Sequence, residues 1–223
     1  KYIVSSKVIK KYKKKTIKVE NEVQFLKKFA ELKRAYSLAK IIAITGSAGK
    51  TSLKNLTKDL LQNFGKTCSS PKSFNNHFGV PISLSNLNNN DKYGVFEIGM
   101  SKAGEINNLS KLIQPHIGVI TNIGEAHIEN FKSIEEIAKA KGEIIDNINK
   151  NGTIILNRDD KFFNYLEKRA KLRKIKIVTF GKNKKSDVYP LKTLKNNNFI
   201  RMIVKVKSQN IDLTIKDINI YNV

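Results

Sequence analysis

The chain has 223 residues, with 42 Lys and Arg against 19 Asp and Glu and a formal net charge of +23. Its 40% hydrophobic and 8% aromatic residues are enough for the core of one good-sized domain, which excludes intrinsic disorder. No apolar run approaches the roughly 20 residues that span a bilayer, no signal-peptide pattern opens the chain, and its single cysteine, Cys68, excludes a disulfide framework and a cysteine-based zinc site.

In chain order, Tyr2 to Ser5 reads as a short strand. Val23, Leu26, Phe29, Ala30 and Leu32 then recur at helical spacing behind Asn21 as N-cap. From residue 41 the pattern changes to alternating apolar strands and amphipathic helices. Strands are expected at Ile41–Thr45, Val95–Ile98, Ile117–Thr121, Thr153–Leu156 and Ile175–Phe180. Helices are expected from the glycine-containing turn after Thr45 to about Phe64, near Glu105–Ile113, from a Ser133/Glu136 capping box to about Ile148, and over Phe162–Leu172. Such alternation predicts an α/β fold, with a mostly parallel sheet flanked by helices on both faces. After Gly181 the helices stop. Val188–Leu194, Phe199–Lys207 and Ile211–Ile215 read as a small antiparallel β portion joined by turns at Asn196-Asn197-Asn198 and Ser208–Asn210.

The charge is unevenly spread. Residues 1–40 carry 13 basic and 3 acidic side chains, residues 41–149 carry 11 and 10, and residues 150–223 carry 18 and 6. Of the basic residues, 37 are Lys and 5 are Arg, and runs such as Lys13-Lys14-Lys15 lack the interleaved aromatics of a base-stacking platform. The excess therefore reads as a Lys-rich composition, and no nucleic-acid partner is expected. A basic nucleic-acid-binding protein with a phosphate loop is the alternative from a different class.

The strongest local chemistry is Thr45-Gly46-Ser47-Ala48-Gly49-Lys50-Thr51-Ser52, between a strand and a helix. In that context a Gly-rich turn lets backbone N–H groups converge on phosphate oxygens, and the helix N-terminus adds a favourable dipole. Lys50 would contact the β- and γ-phosphates, and the Thr51 hydroxyl would ligate Mg²⁺. The spacing is shorter than the Walker form, which has a glycine where this chain has Ile44.

Five ordered segments together resemble the Mur ligases. They are the loop itself; Ser73-Phe74-Asn75-Asn76-His77-Phe78-Gly79-Val80-Pro81; Glu97-Ile98-Gly99-Met100 with Gly104-Glu105-Ile106; Ile120-Thr121-Asn122-Ile123-Gly124-Glu125-Ala126-His127 through Ala140-Lys141-Gly142-Glu143-Ile144; and Leu156-Asn157-Arg158-Asp159-Asp160. The likeness runs through residues 41–223. It is greatest to the branch that joins D-Ala-D-Ala to UDP-MurNAc-tripeptide. MurE-type ligases and folylpolyglutamate synthetases share the loop but not the Asn-Ile-Gly-Glu-Ala-His wording. A related ligase of cyanophycin or folylpolyglutamate type remains the alternative within the same chemistry.

The resemblance implies an ATP-dependent amide ligase of peptidoglycan precursor synthesis, working through an acyl phosphate, with ATP and Mg²⁺ as cofactors. Its substrates would be UDP-MurNAc-peptide and D-Ala-D-Ala. It implies a cytoplasmic, monomeric protein without membrane insertion. It assigns catalytic roles to Lys50, His127 and Lys141, and nucleotide contacts to Gly46, Ser47, Ala48, Gly49, Lys50, Thr51 and Ser52. Thr51 and Glu97 would hold one Mg²⁺. His127 would hold a second, joined by Lys141 if that lysine is carbamylated, since the carbamate turns a repelling cation into an anionic oxygen ligand. Asn75 and Asn76 would meet substrate or phosphate. Asn222, the second Asn of Asn219-Ile220-Tyr221-Asn222, would contact adenine.

Plainer roles stand beside several of these. Glu97 could cap the next segment, His127 could be a loop histidine, and Lys141 could be a solvated lysine like Lys139. Asn75 and Asn76 could form turns, and Asn157, Asp159 and Asp160 fit a strand-closing turn as well as a nucleotide contact. His116 is expected at a strand entrance, and Met100 in packing. Family members have three domains. Residues 1–40 are thus expected to be the tail of an N-terminal UDP-substrate domain plus a connecting helix, and 41–223 a C-terminally incomplete central ATP-binding domain without the C-terminal ligase domain. A first residue that is Lys, not Met, fits either a processed chain or a piece of a longer ligase.

Overall fold

Alternate residues of one short apolar strand build the centre of the molecule. In the computed structural model, which describes residues 2–126, 128–195 and 199–216, β3 (Lys40–Thr45) sends Ile41 and Ala43 to one face and Ile42 and Ile44 to the other. All four are buried, as a strand enclosed on both faces requires. The elements before it are β1 (Ile3–Ser5) and β2 (Thr16–Lys18), which pair with each other, and α1 (Glu22–Ala35). The Asn21 side chain accepts from the Gln24 amide at 2.9 Å and so caps α1 as the sequence suggests.

After β3 come α2 (Lys50–Gln62), β4 (Thr67–Ser69), α3 (Gly79–Ser85), β5 (Tyr93–Glu97), α4 (Glu105–Ile113) and β6 (Ile117–Ile120). They are followed by α5 (Ile134–Gly142), β7 (Thr153–Asn157), α6 (Phe163–Leu172), β8 (Lys176–Phe180), β9 (Val188–Lys195), β10 (Phe199–Val206) and β11 (Gln209–Lys216). The nine-stranded sheet has the order β11-β10-β9-β8-β7-β6-β3-β5-β4. It is parallel from β4 to β9 and antiparallel across β9, β10 and β11, as expected. The larger core lies on the face that receives side chains from α3, α4, α5 and α6, including Leu84, Ile106, Ile113, Ile137 and Leu166. Leu53 and Leu61 of α2 pack on Ile42, Ile44, Val95 and Val119 on the other face. No helix among the described residues is long and apolar enough to cross a membrane.

Three local expectations are corrected. The Ser133 side chain makes no cap bond; Glu136 instead accepts from the Lys132 amide at 3.0 Å, and α5 gives way at Gly142 to a 3-10 turn over Glu143–Asn147. The turn between β10 and β11 is Lys207-Ser208, because Lys207 adopts φ +52° and frees Gln209 and Asn210 to pair. The elements β2, β4 and α3 carry no period long enough to read: two have three residues, and α3 has seven with Pro81 in its first turn. The expected turn at 196–198 lies outside the described residues.

Candidate active site beside the phosphate loop

The sheet order reverses at β3: the chain visits β4 and β5 on one side and then crosses to β6 on the other. Crevices at the carboxyl ends of strands flanking such a switch are where open α/β sheets bind ligands. The loop 46–49 lies there, and its shape depends on two glycines. Gly46 sits at φ +149°, and a Cβ on it would fall 1.8 Å from Thr121 Oγ1. Gly49 caps α2 at φ +78°, a left-handed conformation that glycine adopts without steric cost. The α2 N-terminus therefore begins at the loop, where the first amides of a helix have no intrahelical partner.

The segment after β6 braces this loop. The Ser47 amide donates to Asn122 O at 3.0 Å, the Ala48 amide to Asn122 Oδ1 at 2.9 Å, and the Gly124 amide to Ser47 Oγ at 2.8 Å. The Thr121 hydroxyl donates to Ala48 O at 2.6 Å. Asp160 supports the brace in turn by accepting from the Ile123 amide at 2.7 Å, and Asn157 Nδ2 donates to Thr121 O at 3.4 Å. Asp159 accepts from the amides of Lys182 and Asn183. The Asn157–Asp160 turn thus closes a strand and steadies the loop.

Parallel pairing sets Glu97 beside Ile44 at the same sheet edge. There the Thr51 hydroxyl donates to Glu97 Oε2 at 2.8 Å, and Asn75 Nδ2 donates to Oε1 at 2.7 Å. Gly99 keeps this approach open, since a Cβ on it would lie 2.9 Å from the Asn75 side chain. Glu97 is buried, with its two carboxylate oxygens engaged by Thr51 and Asn75. Thr51 and Glu97 are hard oxygen donors in contact, which fits Mg²⁺ with phosphate and water oxygens completing its shell. Among the described residues no group of three or more His, Cys, Asp or Glu could hold a metal unaided.

Lys50 curls over the loop, donating to Gly46 O at 2.9 Å and Ser47 O at 3.3 Å. Burial lowers the pKa of its ammonium, and Glu97 partly offsets that. Lys141 comes from α5 and is buried, with 2% of its surface exposed, unlike a solvated helix lysine. Burial first, and repulsion from Lys50 second, push its pKa down to about 7. Lys50, Asn75, Asn76, Gly99, Met100 and Lys141 line a cavity of about 810 Å³ that continues between α1 and α4.

The two asparagines separate. Asn75 reaches Glu97, whereas Asn76 accepts from the Phe78 and Gly79 amides at 3.1 and 2.9 Å and so opens α3 as a turn former. Ser52 is exposed on the first turn of α2. His116 accepts at Nδ1 from the Ile41 amide at 2.9 Å, at the entrance of β6. His127 and Asn222 lie outside the described residues.

Two contributors escape a reading of residue types. Glu143 accepts from the amides of Gly104 and Asn107, both at 2.8 Å, and caps α4 from the 3-10 turn that follows α5. Lys54, one turn beyond Lys50, is fully buried with its ammonium on Ser70 O and Lys72 O. Its spacing along α2 does not set it apart from Lys58, so the residue types carried no signal for it.

Residues 44–223 match the Mur ligase middle domain family. The UDP-N-acetylmuramoyl-tripeptide–D-alanyl-D-alanine ligase of Rickettsia prowazekii is 39% identical over 96% of this chain and 48% of its own length. The ligase of the same name from Escherichia coli is 36% identical over 65% of this chain and 32% of its own. Among solved structures, MurF from Acinetobacter baumannii superposes with a TM-score of 0.86 at 27% identity, over 99% of this chain and 47% of that one. MurF ligase from Thermotoga maritima, in complex with ADP, gives 0.80 at 26% identity, over 96% and 48%. The chain spans about half the length of these relatives, or less. The nearly full-length match from β3 onward, on a sheet whose phosphate loop and carboxylate meet as described, means that this chain belongs to the Mur ligase family through its middle domain.

Proposed function

We propose that this chain is the nucleotide-binding part of an ATP-dependent amide ligase of peptidoglycan precursor synthesis, which joins D-Ala-D-Ala to UDP-MurNAc-tripeptide. The observation that carries this reading is the meeting of Thr51, Glu97 and Asn75 beside the loop that Lys50 covers. The likeness to ligases of that name supports the substrate pair.

In this reading the amides at the start of α2 and Lys50 would hold the β- and γ-phosphates, while Thr51 and Glu97 would hold Mg²⁺. The metal supplies charge neutralisation on the transferring phosphoryl group. A carboxylate oxygen of the tripeptide attacks the γ-phosphorus, the bond to the bridging oxygen breaks, and ADP leaves with that electron pair. The amine of D-Ala-D-Ala then attacks the acyl carbon, phosphate departs and the nitrogen loses a proton. Lys50 stabilises the developing phosphoryl charge from a buried position, where a cation acts more strongly than in water.

Lys141 fits a carbamate. An amine must be neutral to add to CO₂, and a pKa of about 7 supplies that form at neutral pH. The product would present oxygen to a second Mg²⁺ alongside His127. The lone half-buried thiol, Cys68, is consistent with a reducing, cytoplasmic setting, and the reading takes the protein as a monomer.

The test is phosphate release by the full-length protein. Release that requires ATP, UDP-MurNAc-tripeptide and D-Ala-D-Ala together supports the assignment. Release that depends on glutamate or another amine in place of D-Ala-D-Ala redirects it to a related ligase.

A further inference from the structure

Lys54 carries a charge that its position does not explain by packing. A buried ammonium costs free energy unless strong acceptors meet it, and an apolar side chain would fill the same place on α2 without that cost. The acceptors it meets are two carbonyls of one short turn, Ser70 O at 2.9 Å and Lys72 O. That turn runs straight from β4 into the segment bearing Asn75, and Lys72 within it adopts φ +45°, where a side chain is unfavourable. From the turn, contacts lead to the site. Ser70 Oγ accepts from the Glu97 amide at 3.1 Å, the Phe74 amide donates to Pro71 O at 3.0 Å, and the Gly99 amide donates to Asn75 O at 2.8 Å.

We propose that Lys54 is a positioning residue: its ammonium hooks the turn at Ser70–Lys72 and so holds Asn75 against Glu97. It would contact neither nucleotide nor metal and would act through the turn, while its charge also lies close enough to Glu97 to be stabilised by it. Its consequence for binding rests on the phosphate-loop reading above; its consequence for the turn does not.

The experiment is backbone amide hydrogen exchange, followed by NMR on this chain and its Lys54→Met variant without nucleotide. The variant should exchange the Glu97 and Gly99 amides about tenfold faster or more, while Ile98 keeps its rate because its amide is bonded to Ile44 O at 2.8 Å within the sheet. Unchanged rates at Glu97 and Gly99 overturn the proposal, and so does equal acceleration of all three, which marks a loss of global stability. Lys54→Arg, which keeps a cation with several donors, should restore most of the protection. If Lys54→Met does not fold, Lys54→Gln carries the same expectations. A titration with ADP then reads the link to binding: Lys54→Met should cut the gain in affinity that Mn²⁺ gives over EDTA by about tenfold, with the EDTA value held within about twofold. Equal weakening in both media overturns the link. Absence of ADP binding by the unsubstituted chain overturns the phosphate-loop reading, while the exchange result still decides the hook.

Discussion

Thr51 and Glu97 come from elements 46 residues apart in the chain, yet the Thr51 hydroxyl donates to Glu97 Oε2 at 2.8 Å. Two neighbouring strands arrange this. β3 delivers the loop that starts α2, and β5, in parallel register beside it, ends on the carboxylate. Replacing Glu97 with Gln keeps an acceptor for Thr51 but removes the anionic donor that a hard divalent cation requires. The expected result is a chain that still folds but melts at a lower temperature, because Asn75 Nδ2 loses a carboxylate acceptor and Lys50 loses a nearby anion, and whose Mg²⁺-dependent gain in ADP affinity falls by about ten- to a hundredfold. Calorimetric titration with and without EDTA measures it.

Lys141 predicts a pH dependence of stability. Above the usual lysine value of 10.5 the amine is neutral whether folded or not, so it has no effect. Between 10.5 and about 7 the unfolded chain holds a proton that the folded chain does not. Stability therefore falls as the pH drops through that window, and levels off below it, by an amount on the order of 5 kcal/mol. Lys141→Met should remove this component and be the more stable protein at pH 7. Urea denaturation of both proteins from pH 6 to 10, in buffer free of metal and CO₂, isolates the difference.

Gly46→Ala should be severely destabilising. The added methyl would sit 1.8 Å from Thr121 Oγ1, at a φ of +149° that L side chains rarely adopt. Relief means breaking the Thr121 bond to Ala48 and with it the brace on the loop. A loss of roughly 2–4 kcal/mol is expected, together with loss of nucleotide binding, read by urea denaturation and by titration.

Glu143 offers a change outside the binding machinery. Its carboxylate accepts the Gly104 and Asn107 amides at the start of α4, where a negative charge also meets the positive end of the helix dipole. Glu143→Ala should cost about 1–2 kcal/mol. ADP affinity at a temperature where the variant is folded should be unchanged, a combination that differential scanning calorimetry with titration resolves.

Much of this arrangement is legible in the residues. Gly46, Gly49, Lys50 and Thr51 between an apolar strand and a helix specify the loop, and the run Val95–Ile98 puts Glu97 at a strand end. The unreadable parts depend on three-dimensional company. Lys54 resembles any solvated helix lysine until the turn at Ser70 closes over it. Asn75 and Asn76 are chemically identical neighbours, and only the backbone direction decides that one meets Glu97 while the other opens α3. Asn122 reads as one letter of a motif, although its side chain is a strut of the phosphate loop. Ser133 has the spacing of a capping box, yet Glu136 takes up the Lys132 amide and leaves it out.

The account stands on nucleotide binding at the loop, and calorimetric titration of this chain with ADP and Mg²⁺ tests it most directly. The account predicts saturable one-to-one binding that weakens by about tenfold or more in Lys50→Ala. No saturable binding, or the same affinity in Lys50→Ala as in the unsubstituted chain, would contradict it.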